Sequence, residues 1–272
     1  MLDIIKSVVL GIVQGITEWL PISSTGHMIL VDEFLKLNVS EDFMTMFLVV
    51  IQLASILAVV FLFFKKLFPW GFNKTKEETK ETFNLWLLIL IGCIPAAIIG
   101  LLFDDKINEI FFNPWTVAIT LIFYGILFII IENYRKNKKI AVKDVYQISY
   151  KIALLIGLFQ VLALIPGTSR SGATILGGLI LGLDRKTAAS YTFFLAIPVM
   201  AGASLLKLIK FGFTFTGLEI TILIAGMITA FIVSIFAIRF LLAYIRKNDF
   251  KVFGYYRIIL GIIVLIYFLL LR

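Results

Sequence analysis

The chain has 272 residues, 61% hydrophobic and only 15% charged, with a net charge of +8 and a mean hydropathy of +1.03. Soluble domains carry about a quarter charged residues, so this is an integral membrane protein, and its long apolar runs lack the alternation of a membrane barrel. The basic excess lies in short loops between apolar runs, which fits membrane orientation and excludes a nucleic-acid face, while a single cysteine, Cys93, leaves no disulfide framework or cysteine metal site.

Taken in chain order, the sequence opens MLDIIKS, without the basic and apolar regions of a removable signal peptide. The apolar region 4–37 follows, broken in its middle by the polar stretch PISSTGH. Spans are expected at 43–64, 84–103 and 115–132, then a second broken region at 152–183, interrupted by PGTSRSGAT, and further spans at 190–210, 219–242 and 254–271. The arms of the broken regions are too short for a full crossing at ~1.5 Å per residue. They predict re-entrant hairpins, whose irregular backbone is tolerated only inside protein or along a wet cavity. The fold class is therefore all-α, with six transmembrane helices plus two re-entrant broken-helix hairpins.

Charge sets the orientation. The loops at 65–83, 133–151 and 244–251 are rich in lysine and arginine and are expected in the cytoplasm. Asp3, Asp32, Glu33, Glu41, Asp42, Asp104, Asp105 and Glu109 place the opposite loops outside, with Lys207, Lys210 and Arg272 running against the rule. If 4–37 enters and leaves on the outside, three spans carry the chain inward, where 152–183 enters and leaves before three more spans. GIVQG…LPISSTG near 11–26 resembles GLFQV…IPGTSRSG near 157–172. A single membrane domain, 1–272, thus divides into inverted repeats at approximately 1–132 and 150–272, whose polar tips meet mid-membrane.

Polar residues are costly at that depth, and they concentrate at the two tips. Gln14 and Glu18 share a helix face; beyond Pro21 come Ser23, Ser24, Thr25, Gly26 and His27, the chain's one histidine. The second tip offers Gly167, Thr168, Ser169, Arg170, Ser171, Gly172 and Thr174. Both tips lead into helices, whose first amides favour an anion. Arg170 suits phosphate oxygens, and a hydroxyl such as Ser24 suits attack, with His27 or Glu18 taking its proton. Which hydroxyl attacks is open. A serine before a helix is often only a cap, and a lone histidine often only packs. Arg170 and Glu18 have fewer such explanations in an apolar setting. The FLFF run and Tyr255–Tyr256 read as lipid-facing or interfacial packing.

The motifs Q-G-I-T-E-W-L-P-I-S-S-T-G-H at 14–27 and P-G-T-S-R-S-G-A-T at 166–174 make the chain resemble the undecaprenyl-diphosphate phosphatase, or bacitracin resistance protein, family. That family has Glu or Gln followed by Glu four residues later; here these are Gln14 and Glu18, so one carboxylate is present instead of two. The resemblance implies hydrolysis of undecaprenyl diphosphate for peptidoglycan and cell-wall synthesis, bacitracin resistance, and residence in the bacterial cell membrane; the charge pattern, which anchors the first hairpin outside, leads us to expect a site facing outside. It also implies a divalent cation, Mg2+ or Ca2+, for which Glu18 is the candidate ligand. Glu18, Ser24, His27 and Arg170 are then the catalytic candidates, with Gln14, Ser23, Thr25, Gly26, Gly167, Thr168, Ser169, Ser171 and Thr174 binding substrate. The expected partners are undecaprenyl diphosphate and membrane lipids, with no nucleic acid; a homodimer is compatible with the sequence. A lipid-carrier flippase or anion transporter on the same inverted repeat is the alternative, and a purely structural membrane protein would leave Arg170 and Glu18 unexplained.

Overall fold

The computed structural model describes residues 1–70, 74–136, 138–212 and 214–270, without the side chains of Ile29, Asp32, Glu33, Phe34 and Asp104. Four of the topology charges, Arg272 and the side chains of Asp32, Glu33 and Asp104, thus lie outside the described residues. Helices α1 (Leu2–Thr17) and α2 (Ser24–Phe34) form the first broken region, followed by α3 (Glu41–Leu62), the single turn α4 (Phe64–Leu67), α5 (Lys76–Phe111) and α6 (Pro114–Arg135). The second half repeats the order: α7 (Tyr150–Val161) and α8 (Arg170–Ile180) are broken, then come α9 (Arg185–Phe211), α10 (Gly217–Tyr244) and α11 (Lys251–Leu270).

Helix starts follow from side-chain caps that serve the first unpaired amides. Ser40 accepts from the Phe43 amide at the head of α3, Asn113 from Thr116 before Pro114 of α6, and Asp184 from Thr187 at α9. Thr75 with Glu78, and Thr216 with Glu219, form reciprocal capping boxes on α5 and α10. These caps explain why α5 and α9 begin before the expected spans. Hydropathy reports the apolar stretch, whereas the cap reports where backbone bonding starts. Six helices among the described residues are long and apolar enough to cross a bilayer: α3, α5 as far as Phe103, α6, α9, α10 and α11. The arms of the broken regions, at 16, 11, 12 and 11 residues, are not.

Each half lends a partner to the other: α1 packs along α10 and α7 along α5, while α6 packs on α11. The first contact is close because a Cβ on Gly11 would stand 2.6 Å from the Gly226 carbonyl oxygen. Small residues at such crossings let backbones approach, the usual device for helices in lipid. The outward faces are apolar, with Leu101, Leu102 and Phe236 largely exposed. At one end a bidentate Arg185–Glu132 pair, with N–O distances of 2.9 and 2.7 Å, ties α9 to α6, and Glu132 also accepts from the Phe250 amide just before α11. The Phe-rich run is only partly lipid-facing: Phe61 and Phe64 are exposed, but Phe63 packs against Phe193 and Phe194.

Candidate active site

The two helix breaks share one backbone form. Ser23 has φ 73° and ψ 100°, and Ser169 has φ 71° and ψ 119°; they are the non-glycine residues with positive φ among those described. Such a conformation costs on the order of 1–3 kcal/mol and persists only where surroundings enforce it. Here each serine caps the helix it opens, Ser23 Oγ accepting from the Gly26 amide at 3.3 Å and Ser169 Oγ from the Gly172 amide at 3.1 Å. The first residue of each new helix is then Ser24 in α2 and Arg170 in α8.

Those two residues meet at Glu18, which is buried just past the end of α1. Arg170 Nη2 donates to Glu18 Oε1 at 3.1 Å, while Ser24 Oγ donates to Glu18 Oε2 at 3.3 Å and Gln14 Nε2 donates to the same oxygen at 2.9 Å. One carboxylate thus holds a hydroxyl and a guanidinium side by side, each from a different half of the chain. The second Arg170 nitrogen, Nη1, is anchored on the Thr192 carbonyl at 2.7 Å, and the guanidinium lies 5.8 Å from the Trp19 ring centre. Ser171 Oγ donates to the backbone carbonyls of Glu18 and Leu20, locking one elbow to the other.

His27, the other candidate to take the Ser24 proton, is hydrogen-bonded to groups other than Ser24. Its Nδ1 lies 2.7 Å from the Ser23 carbonyl, and its Nε2 lies 2.7 Å from the Tyr256 hydroxyl, with the two rings stacked. A carbonyl only accepts, so Nδ1 carries the proton; a neutral ring then accepts at Nε2 from Tyr256. Ser24 therefore bonds Glu18, and Glu18 is the group placed to receive its proton. Thr174 also turns inward, donating to the Arg170 carbonyl and accepting from Thr192 Oγ1 at 2.9 Å. Gly26 is buried, with its amide on Ser23; Thr25 is half-buried beside Ser24; Thr168 is fully buried. Gly167, at φ 85°, lets the second elbow pass α6: a Cβ there would lie 2.7 Å from the Val117 carbonyl oxygen.

Two contributors escape sequence reasoning. Arg257 of α11 is fully buried and donates to Pro21 O at 3.3 Å, Gly167 O at 2.9 Å and Thr168 O at 2.9 Å, with its guanidinium 5.7 Å from the Tyr124 ring centre. It joins both elbows. Tyr256 is 44% exposed, in keeping with its reading as lipid-facing or interfacial, and its hydroxyl in addition meets His27. The available signal was an arginine inside an apolar span, which is rare enough to suggest a partner.

A divalent cation takes oxygen ligands and is commonly bound by one or two carboxylates plus substrate phosphates. Among the described residues no group of three His, Cys, Asp or Glu side chains gathers. Glu18, with the Ser24 hydroxyl and the Gln14 carboxamide beside it, fits the protein's share of a coordination sphere that a diphosphate would complete.

The model of the family described as "Bacitracin resistance protein BacA" matches residues 7–263. A protein of Acetivibrio thermocellus named undecaprenyl-diphosphatase is 62% identical over 272 residues, covering 100% of both chains. Another of that name from Desulfitobacterium hafniense is 62% identical over 269 residues, 98% of this chain and 97% of its own. One from Enterococcus faecalis is 57% identical over 267 residues, 97% of each. With the family match running through both elbows and nearly end to end, the chain belongs to the bacitracin resistance protein BacA family.

Proposed function

We propose that the chain hydrolyses undecaprenyl diphosphate to undecaprenyl phosphate and inorganic phosphate, recycling the lipid carrier of peptidoglycan and cell-wall synthesis and conferring bacitracin resistance. The observation that carries this reading is the convergence of Ser24 and Arg170 on the two oxygens of Glu18, in a chain whose full-length relatives are named undecaprenyl-diphosphatase. A flippase or anion transporter needs the guanidinium but has no use for a hydroxyl held against a carboxylate.

In this mechanism Arg170 grips non-bridging oxygens of the diphosphate and offsets the charge that develops there. Ser24 Oγ attacks the terminal phosphorus while Glu18 takes its proton. The Oγ–P bond forms, the bond from that phosphorus to the bridging oxygen breaks, and undecaprenyl phosphate departs. The proton on Glu18 passes to the departing undecaprenyl phosphate; water then gives a proton to the freed carboxylate and attacks the phosphorus, the Oγ–P bond breaks, and Glu18 returns that proton to Ser24 as inorganic phosphate leaves. The amides opening α2 and α8 face the same anion. A bound Mg2+ or Ca2+ would neutralise phosphate charge beside Glu18.

The membrane arrangement is part of the same reading. The short arms α1–α2 and α7–α8 are re-entrant hairpins entering from opposite faces of the bacterial cell membrane, as expected of inverted repeats. The site opens outward, where transfer of the sugar cargo leaves the diphosphate. Support comes from the basic loops at one set of helix ends, with Arg135, Lys136, Lys138 and Lys139 after α6, against Asp105 and Glu109 at the other. The deciding experiment is phosphate release from undecaprenyl diphosphate by the purified protein in detergent, with and without Mg2+ or Ca2+. Absence of release from folded protein under all these conditions would end the hydrolase reading.

A further inference from the structure

Lys207 and Lys210, which run against the positive-inside pattern, lie three apart on the last turns of α9. They line a cavity of about 420 Å³ between that helix end and the start of α3. Among the described residues neither lysine makes an ion pair or hydrogen bond, and neither does the carboxylate of Asp42 on the facing wall. The hydroxyls of Thr45 and Thr214 also line the space, while Ser40 is already used to cap α3. Beneath lie Met46 and Phe211, the latter braced by Phe43 and Phe215 with ring centres 6.0 and 5.2 Å away. On the same helix turns Leu205, Leu206 and Ile209 are 57%, 50% and 58% exposed, so the cavity opens where apolar surface gives way to charge.

We propose that this pocket binds the headgroup of an anionic phospholipid at the membrane surface, one whose phosphodiester charge is not offset by a headgroup cation. Two ammonium groups and one carboxylate leave the lining with one net positive charge, which matches the single negative charge of a phosphodiester. A free phosphate or diphosphate carries more charge, which Asp42 would oppose. The acidic first turn of α3, Glu41 and Asp42, already occupies that helix end, so the lysines are the attracting groups. Threonine hydroxyls supply donors to the phosphate oxygens, and the acyl chains run down Leu206 and Ile209. Lysines near helix ends commonly extend to the headgroup level without binding any particular lipid; what differs here is that both face a built cavity containing a countercharge. The inference rests on the chain spanning a membrane and not on its hydrolytic activity.

Native mass spectrometry of the full chain in detergent, titrated with phosphatidylglycerol or phosphatidylcholine, tests this. One retained phosphatidylglycerol is expected, in preference to phosphatidylcholine. The Lys207→Gln/Lys210→Gln double variant should weaken retention by roughly thirtyfold, since each of the two basic residues at the membrane surface contributes about 1 kcal/mol. Asp42→Asn should strengthen it, and Lys136→Gln/Lys138→Gln at the other helix ends should leave it unchanged. The melting temperature of the double variant and its phosphate release from undecaprenyl diphosphate should both match the parent. Equal retention of the two lipids, or undiminished phosphatidylglycerol binding in the double variant, would overturn the proposal. So would displacement of the lipid by millimolar inorganic phosphate, which would assign the pocket to the free anion.

Discussion

Replacing Arg257 with Met removes a side chain that bonds both elbows from a third element while keeping volume and apolar packing against Tyr124. Three carbonyls, those of Pro21, Gly167 and Thr168, lose a charged donor at 3.3, 2.9 and 2.9 Å. All three lie at helix breaks, where no helical amide is in register to replace it. An unsatisfied buried acceptor costs ~1–3 kcal/mol. The sum is reduced because the folded protein no longer has to bury a guanidinium. A net penalty of about 3 kcal/mol, at ~1.4 kcal/mol per tenfold, predicts a fall in kcat of roughly 100-fold if it is expressed as misplacement of Ser24 and Arg170. KM should change less, since Arg170 remains available to bind the diphosphate. Arg257→Lys keeps the charge but has a single donor centre and reaches one elbow, so it should recover less than about tenfold. Steady-state phosphate release and a thermal melt in detergent read both consequences. An Arg257→Met protein with parental kcat and an unshifted melt would refute the idea that this arginine sets the elbow geometry.

Other outcomes follow from the same contacts. Arg170→Ala should abolish most turnover in folded protein, and Arg170→Lys should rescue poorly because it cannot hold Thr192 O, Glu18 and phosphate oxygens at once; near-parental phosphate release from Arg170→Ala would remove it from the site. Ser24→Ala should stop the chemical step in single-turnover assays, whereas Ser23→Ala should mainly cost about 1 kcal/mol of helix capping, seen as a lower melt; the reverse ranking would move the nucleophile. Tyr256→Phe removes the donor to His27 Nε2, and because Ser24 is held by Glu18 and not by the histidine, neither it nor His27→Gln should remove the acid limb of the kcat profile; loss of that limb in His27→Gln would make the histidine the base. Asp105→Cys and Lys138→Cys in a Cys93→Ala background should label differently with an impermeant thiol reagent on intact cells; labelling at 138 and not at 105 would reverse the orientation.

Much of this site was legible because membrane depth makes polarity expensive. Gln14, Glu18, Ser24 and Arg170 stand out in an apolar sequence, and the structure brings all four within one hydrogen-bonded cluster. The partner of the Ser24 hydroxyl was less legible. Spacing puts Ser24 and His27 near one helix face, but the carbonyl of Ser23 is closer to the imidazole, and α11 supplies Tyr256 from the far end of the chain. Arg257 was hidden for the same reason. Beside Tyr255 and Tyr256 it resembles an interfacial anchor, and only the packing of α11 on α6 carries it into the core. Thr174, a hydroxyl at the same polar tip, donates to the Arg170 carbonyl one helical turn back.

The two elbows share a form but divide the chemistry. Each turns on a serine with positive φ that caps its own helix, and each is preceded at the same distance by a buried glutamine, Gln14 or Gln160. Gln14 bonds Glu18, whereas Gln160 has no carboxylate one turn on, since Leu164 stands at the position that Glu18 holds in the first elbow. The residue that opens the helix also differs, a hydroxyl at Ser24 and a guanidinium at Arg170. If both elbows carried carboxylate and hydroxyl, two acids would repel across the junction and nothing would counter the diphosphate. If both carried arginine, no group would accept a proton. The single Glu18, bonded through one oxygen to each elbow's leading residue, works only because the two elbows differ at these positions. Neither half of the chain holds the reaction's parts by itself.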